Sequence, residues 1–164
     1  MTPQISFEDE LLALLPRLRR FAHGLSRSPS DADDLTQMTV ERALRSKAQW
    51  QPGTRLDSWL YKIMRNLWID TVRSRGRKDQ VEAPPQEAEL LGHDPRDGIE
   101  AGIDLRRVMA AMDKLPSEQR EVVALILIEG FGYRETAELL GLPIGTVSSR
   151  LVRGRTALLA LVGE

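Results

Sequence analysis

The stretch from Gly141 to Arg155, GLPIGTVSSRLVRGR, holds the residues of this chain best suited to chemistry with another macromolecule. Read as a helix at about 100° per residue, it places Val147, Leu151, Gly154 and Leu158 on one narrow side. Ser149, Val152, Arg153 and Thr156 fall roughly opposite. The first side is a core stripe. The second combines hydroxyls, a guanidinium and an apolar side chain that has no reason to face water. A DNA major groove uses all three, because it offers guanine acceptors and nearby phosphates to arginine and thymine methyl groups to valine. Arg150 and Arg155 flank that face and are better placed to hold phosphates than to read bases.

The residues before this helix agree with that use. Tyr133 to Leu140 and Ile144 to Leu161 read as two helices joined by a short turn containing glycine, the pattern of a helix-turn-helix. Ala137 is small where the helices must cross, Gly141 can take the positive φ of the turn, and Val147 packs back between them. An ordinary helical hairpin satisfies the same three positions, so the rest of the chain must decide.

Enzyme chemistry finds little to work with. There is no cysteine, the two histidines (His23 and His93) are far apart, and no Ser/His/carboxylate group, phosphate-cradling glycine loop or metal cluster is evident. No cofactor is expected. The longest apolar run, VVALILI at 122–128, is too short to span a bilayer, and no basic and apolar leader precedes the first helix, so a cytoplasmic protein without membrane insertion is expected.

With 164 residues, 41% of them hydrophobic and 29% charged, the chain fits one domain or two small ones. The net charge of −1 conceals a strong segregation. Trp59 to Asp79 carries Lys62, Arg65, Arg73, Arg75, Arg77 and Lys78 against two aspartates, whereas 80–104 carries seven acidic residues against Arg96. Basic surfaces separated by an acidic connector suit a protein that touches a polyanion. The connector also holds Pro84, Pro85, Pro95 and three glycines, so 79–102 reads as a flexible linker between an N-terminal domain, 1–78, and a C-terminal one, 103–164.

Both parts read as all-α. Ser6 with Asp9 and Ser30 with Asp33 each fit a capping box. Leu11, Leu14, Leu15, Leu18, Phe21 and Leu25 form the stripe of a first helix, with a kink expected at Pro16. A second helix from about Asp31 to Arg45 turns Ala32, Leu35, Thr39, Ala43 and Met38 inward and Asp34, Gln37, Glu41 and Arg45 outward. A third begins near Asp57, with Leu56, Trp59, Leu60, Ile63 and Leu67 buried and Lys62, Arg65, Asn66 and Arg73 turned elsewhere. Helical spacing resumes at Leu105, Val108, Met109 and Met112. Pro116 and Ser117 then start an apolar helix that ends at Gly130.

Three of these segments, DADDLTQMTVERAL, SWLYKIMRNLWIDTVRSR and LPSEQREVVALILIEGFGYRETAELLGLPIGTVSSRLVRGR, together resemble the extracytoplasmic function (ECF) sigma factors of bacterial RNA polymerase. The resemblance covers both halves. It implies a region-two domain that binds core polymerase and melts the minus-10 element, and a region-four domain that reads the minus-35 element of promoter DNA. It also implies restraint by an anti-sigma factor. Carried onto this chain, the polymerase-binding helix holds Asp34, Leu35, Gln37, Met38 and Glu41, with Met38 standing where the family usually has an acidic residue. The minus-10 surface takes Lys62, Arg65, Asn66, Arg73, Arg75 and Arg77. Trp50 lies in the loop that resembles the family's pocket for a flipped-out base, although plain loop packing explains a tryptophan there equally well. The minus-35 surface takes Thr146, Ser148, Ser149, Arg150, Val152, Arg153 and Arg155, with Ser148 where the family is often basic.

Two other functions fit parts of the pattern. A sigma-like decoy that only binds an anti-sigma factor would be expected to lose its basic DNA surfaces, which this chain keeps. An operator-binding regulator would use the helix-turn-helix and leave the basic third helix unexplained.

Overall fold

The computed structural model describes residues 5–78 and 105–163, which fall into two separate compact units. The linker expected at 79–102 lies outside the described residues. The described residues are helical and contain no strand.

The N-terminal unit packs three helices: α1 (Phe7–Ser26), α2 (Pro29–Arg45) and α3 (Leu56–Lys78). Ser6 caps α1 by accepting from the Asp9 amide at 3.1 Å. The helix continues through Pro16, which lies on the exposed side together with Leu12, so water can reach the carbonyl that the proline leaves without a donor. The second cap differs from expectation. Ser28, not Ser30, accepts from the Asp31 amide, and Pro29 occupies the first helical position, where a missing N–H has no consequence.

The core between these helices is built from Leu18, Phe21, Leu60, Tyr61 and Met64, all at most 1% exposed. Phe21 and Tyr61 stack at 4.6 Å between centroids. Thr36 and Thr39 are buried too, and each donates its hydroxyl to a carbonyl one turn back, those of Ala32 and Leu35, so neither leaves a polar group unsatisfied. Met38, expected inward, is 40% exposed and shares the outer face of α2 with Asp34 and Glu41.

One buried charge ties the unit together. Asp57, in the first turn of α3, accepts from Arg17 of α1 at 3.2 Å and from Arg55 at 2.9 Å, and its other oxygen accepts from the Ser58 amide. Burial pushes this carboxyl up. The hydrogen bonds from Arg55 and Ser58, with the charges of Arg55 and Arg17, outweigh that and hold it below the ordinary 3.8. A depressed carboxylate stabilises the fold above its unfolded pKa, and that contribution fades as pH falls through the folded value. Acid titration of the full chain should therefore leave the N-terminal unit intact down to about pH 4 and destabilise it below. Asp57→Asn should flatten this acid limb; an unchanged limb would show that other carboxylates set it.

The C-terminal unit holds α4 (Leu105–Asp113), α5 (Ser117–Val123), α6 (Tyr133–Leu140) and α7 (Ile144–Val162). The apolar helix is not uniform: after Val123 it widens into a π turn over Ala124–Ile128, in which the Glu129 amide reaches back five residues to the Ala124 carbonyl at 2.9 Å. Gly130, at φ 78°, then reverses the chain, as expected of the left-handed stop. Arg107 of α4 donates to the Val162 carbonyl and so closes the far end of α7.

Candidate nucleic-acid interface

The helix-turn-helix is formed by α6 and α7. Gly132 starts α6 with its N–H held by Glu135 Oε1 at 3.2 Å, and Gly141 ends it at φ 67°. The Leu142 amide donates to Ala137, and Pro143 then opens α7 by accepting from the Thr146 and Val147 amides. Val147 is fully buried, Leu151 is buried, and Gly154 lies against α5, where an added Cβ would sit 2.7 Å from Val123 Cγ2. The inner stripe of α7 is therefore fixed by contact.

That leaves the opposite side outward. Val152 is 61% exposed, and Ser149, Arg153, Arg155 and Thr156 are exposed around it. Neither Arg153 nor Arg155 has an ion-pair partner among the described residues. Thr146 and Ser148 are half-buried at the leading end. Arg150 leans back, with its guanidinium 3.7 Å from Glu118 at the start of α5.

In the N-terminal unit, Lys62, Asn66, Arg73 and Arg77 are exposed along one face of α3, with Arg65 half-buried beside them. Arg75 does not join them. About 100° per residue carries it to the other side of the helix, where it forms a bidentate pair with Asp31 of α2 at 2.9 and 2.7 Å and lies over the Trp68 ring. That pairing, with the charge of Arg75, keeps the Asp31 carboxyl below its usual range. On α2, Asp34, Gln37, Met38 and Glu41 are exposed, whereas Leu35 is 2% exposed and supports the face from beneath.

Trp50 follows a short 3-10 turn, Lys47–Gln49, in the connection from α2 to α3. Its ring packs 5.6 Å from that of Phe7, and its indole N–H is buried without a partner among the described residues. Lys47–Gln49 is exposed, and so is the turn after Trp50, Gln51 to Arg55, built on Gly53 at φ 92° and closed by Thr54, whose amide and hydroxyl both donate to the Gln51 carbonyl. Sequence reasoning passed over Asp57 and Phe7, the two residues that brace this connection. A carboxylate in the first turn of a helix, two residues after Arg55, was the available signal for the first.

No group of His, Asp and Glu among the described residues could hold a metal ion, and no helix among them is long and apolar enough to cross a membrane.

Comparison with known proteins gives these faces a context. The sigma-70 region 2 family matches residues 11–78 and sigma-70 region 4 matches 105–158, each coinciding with one unit. The ECF RNA polymerase sigma factor EcfG of Rhodopseudomonas palustris is 40% identical over 96% of this chain and 85% of its own. SigE of Mycolicibacterium smegmatis is 43% identical over 87% of this chain and 56% of its own. Among solved structures, the sigma factor RpoE of Bartonella quintana, in complex with the anti-sigma factor NepR, superposes with a TM-score of 0.82 at 34% identity, covering 96% of each chain. The chain belongs to the ECF sigma factors of bacterial RNA polymerase. The all-α, two-domain fold expected from the sequence is the fold observed.

Proposed function

We infer that this protein binds core RNA polymerase, directs initiation at promoters with minus-10 and minus-35 elements, and is held in check by an anti-sigma factor. The observation that carries the reading is the outward face of α7: an exposed valine flanked by Ser149 and by Arg153, which is unpaired among the described residues, on a helix whose other side is locked into a core. A solvated helix gains nothing from an exposed valine there, whereas a major groove does. The basic face of α3 and the Gln51 to Arg55 turn would meet the minus-10 strands. The outer face of α2, Asp34, Gln37, Met38 and Glu41, would meet the polymerase. The family relationship supports all three roles, and the likeness to RpoE bound to NepR supports the restraint.

Run-off transcription with purified core polymerase on a genomic promoter library tests the whole reading. The expected outcome is initiation at a small set of promoters sharing two elements. Binding of an anti-sigma factor without any run-off product would instead identify a decoy. In a pull-down with core enzyme, Asp34→Ala with Gln37→Ala should weaken retention by roughly tenfold, the scale of two lost hydrogen bonds at an interface. Folding should be untouched, because both side chains are exposed. Undiminished retention would remove the outer face of α2 from the polymerase contact.

A further inference from the structure

The first turn of α1 lies beneath the connection that carries Trp50. Phe7 is 7% exposed and touches three things at once. Its ring is 5.6 Å from Trp50, 6.1 Å from Trp59 in an edge-on arrangement, and 5.6 Å from the Lys47 ammonium. Lys47 also bridges to Glu8, the next residue of α1. Beyond Trp50, the turn from Gln51 to Arg55 is exposed, and at its far end Arg55 is fastened to Asp57. The turn is thus anchored through Phe7 on one side and Asp57 on the other, both too buried to reach a nucleic acid themselves.

We propose that Phe7 is a positioning residue for minus-10 recognition: it holds Trp50 inward as an anchor, so that the turn from Gln51 to Arg55 is already shaped when a flipped base arrives. This rests on the minus-10 role given to that turn above. The buried indole N–H and the aromatic contact commit Trp50 to the protein, leaving the exposed Gln51 and Thr54 side chains and the turn's free backbone groups as what a base edge would meet. A preformed turn spares the complex the ordering cost that a loose one would pay on binding. The same anchoring makes the effect of Phe7 indirect: being buried, it acts on DNA through the connection it holds, chiefly through Trp50.

The test uses the full chain with core polymerase on a promoter carrying 2-aminopurine at the unpaired minus-10 base, whose fluorescence rises when the base leaves the stack. Phe7→Leu, which keeps the site apolar, should lower the fluorescent fraction by about two- to tenfold, the range of a lost aromatic pair. Core affinity should stay the same. Phe7→Tyr and Trp50→Phe, which retain the ring pair, should restore the signal. The double variant Phe7→Leu with Trp50→Ala should lose less than the sum of the two single losses, since both remove the Phe7–Trp50 contact and only Phe7→Leu removes those to Trp59 and Lys47. If Trp50→Ala abolishes the signal while Phe7→Leu leaves it whole, Trp50 stacks on the base directly and the proposal is wrong. If the unaltered protein gives no rise, the minus-10 reading of the turn fails, and the proposal with it.

Discussion

Gly154→Ala should loosen the C-terminal unit by about 1–3 kcal/mol, the usual cost of one methyl too many in a packed core. Two effects compete. Alanine improves on glycine inside a helix by up to about 1 kcal/mol. Against that, the new Cβ would lie 2.7 Å from Val123 Cγ2 and 3.3 Å from Gln119 Cβ. Val123 has no exposed surface and, being β-branched on a helix, one strongly preferred rotamer, so shifting α7 is the easier response. Displacing α7 tilts the face that carries Val152 and Arg153, and binding to the minus-35 element should weaken with the fold. Gly145→Ala on the same helix meets nothing within 4 Å and should be neutral or slightly stabilising. Hydrogen exchange of 105–163 within the full chain distinguishes the two. Equal protection in both variants would mean that α5 yields at Gln119 and Val123, and that the close approach is not a constraint.

This glycine shows what the sequence makes legible. Helical period alone put Val147, Leu151 and Gly154 on one side of α7, because a single straight helix obeys one rotation rule along its length. The same rule separated the outer face of α2 and most of the basic face of α3. It failed where the outcome depends on residues distant in the chain. Arg75 counted as one more cation of a basic run until the fold brought Asp31, 44 positions away, within 2.7 Å. Nothing local to Arg75 encodes that partner. Trp50 is similar: a loop tryptophan faces outward or inward according to what lies behind it, and Phe7 lies behind it. Some misses were local and avoidable. Ser28 and Ser30 both fit a cap, and Pro29 between them marks Ser28 as the right one, because proline favours the first helical position. Tyr61 and Met64 belong to the core because a helix packed between two others buries a wider arc than the aliphatic stripe suggested. The π turn at Ala124–Ile128 had no sequence signal that a buried α-helix lacks.

Arg153→Ala should cost about 1–3 kcal/mol on the preferred minus-35 sequence and relax discrimination at one or two positions, as removal of a base-edge donor does. Its exposure, and its lack of a partner among the described residues, leave the guanidinium available for that contact. Arg155→Ala should behave differently, weakening binding to all sequences alike and reducing the salt dependence by about one unit, the signature of one phosphate. Arg150 is the intermediate case. It is drawn toward Glu118 at 3.7 Å and is 25% exposed, so a phosphate must compete with that carboxylate. Arg150→Ala should therefore lower the salt slope less than Arg155→Ala does, and Glu118→Ala should raise affinity for every sequence by freeing Arg150. Val152 supplies a check that involves no charge. If its methyl groups meet a thymine methyl, uracil at the facing position should weaken the unaltered protein while scarcely affecting Val152→Ala. Binding of these variants to a panel of single-base minus-35 substitutions, at two salt concentrations, reads all of these effects together. A uniform loss for Arg153→Ala with base preference intact would move the reading face elsewhere on α7. Indifference of the unaltered protein to uracil at every position would leave the exposure of Val152 without a DNA explanation.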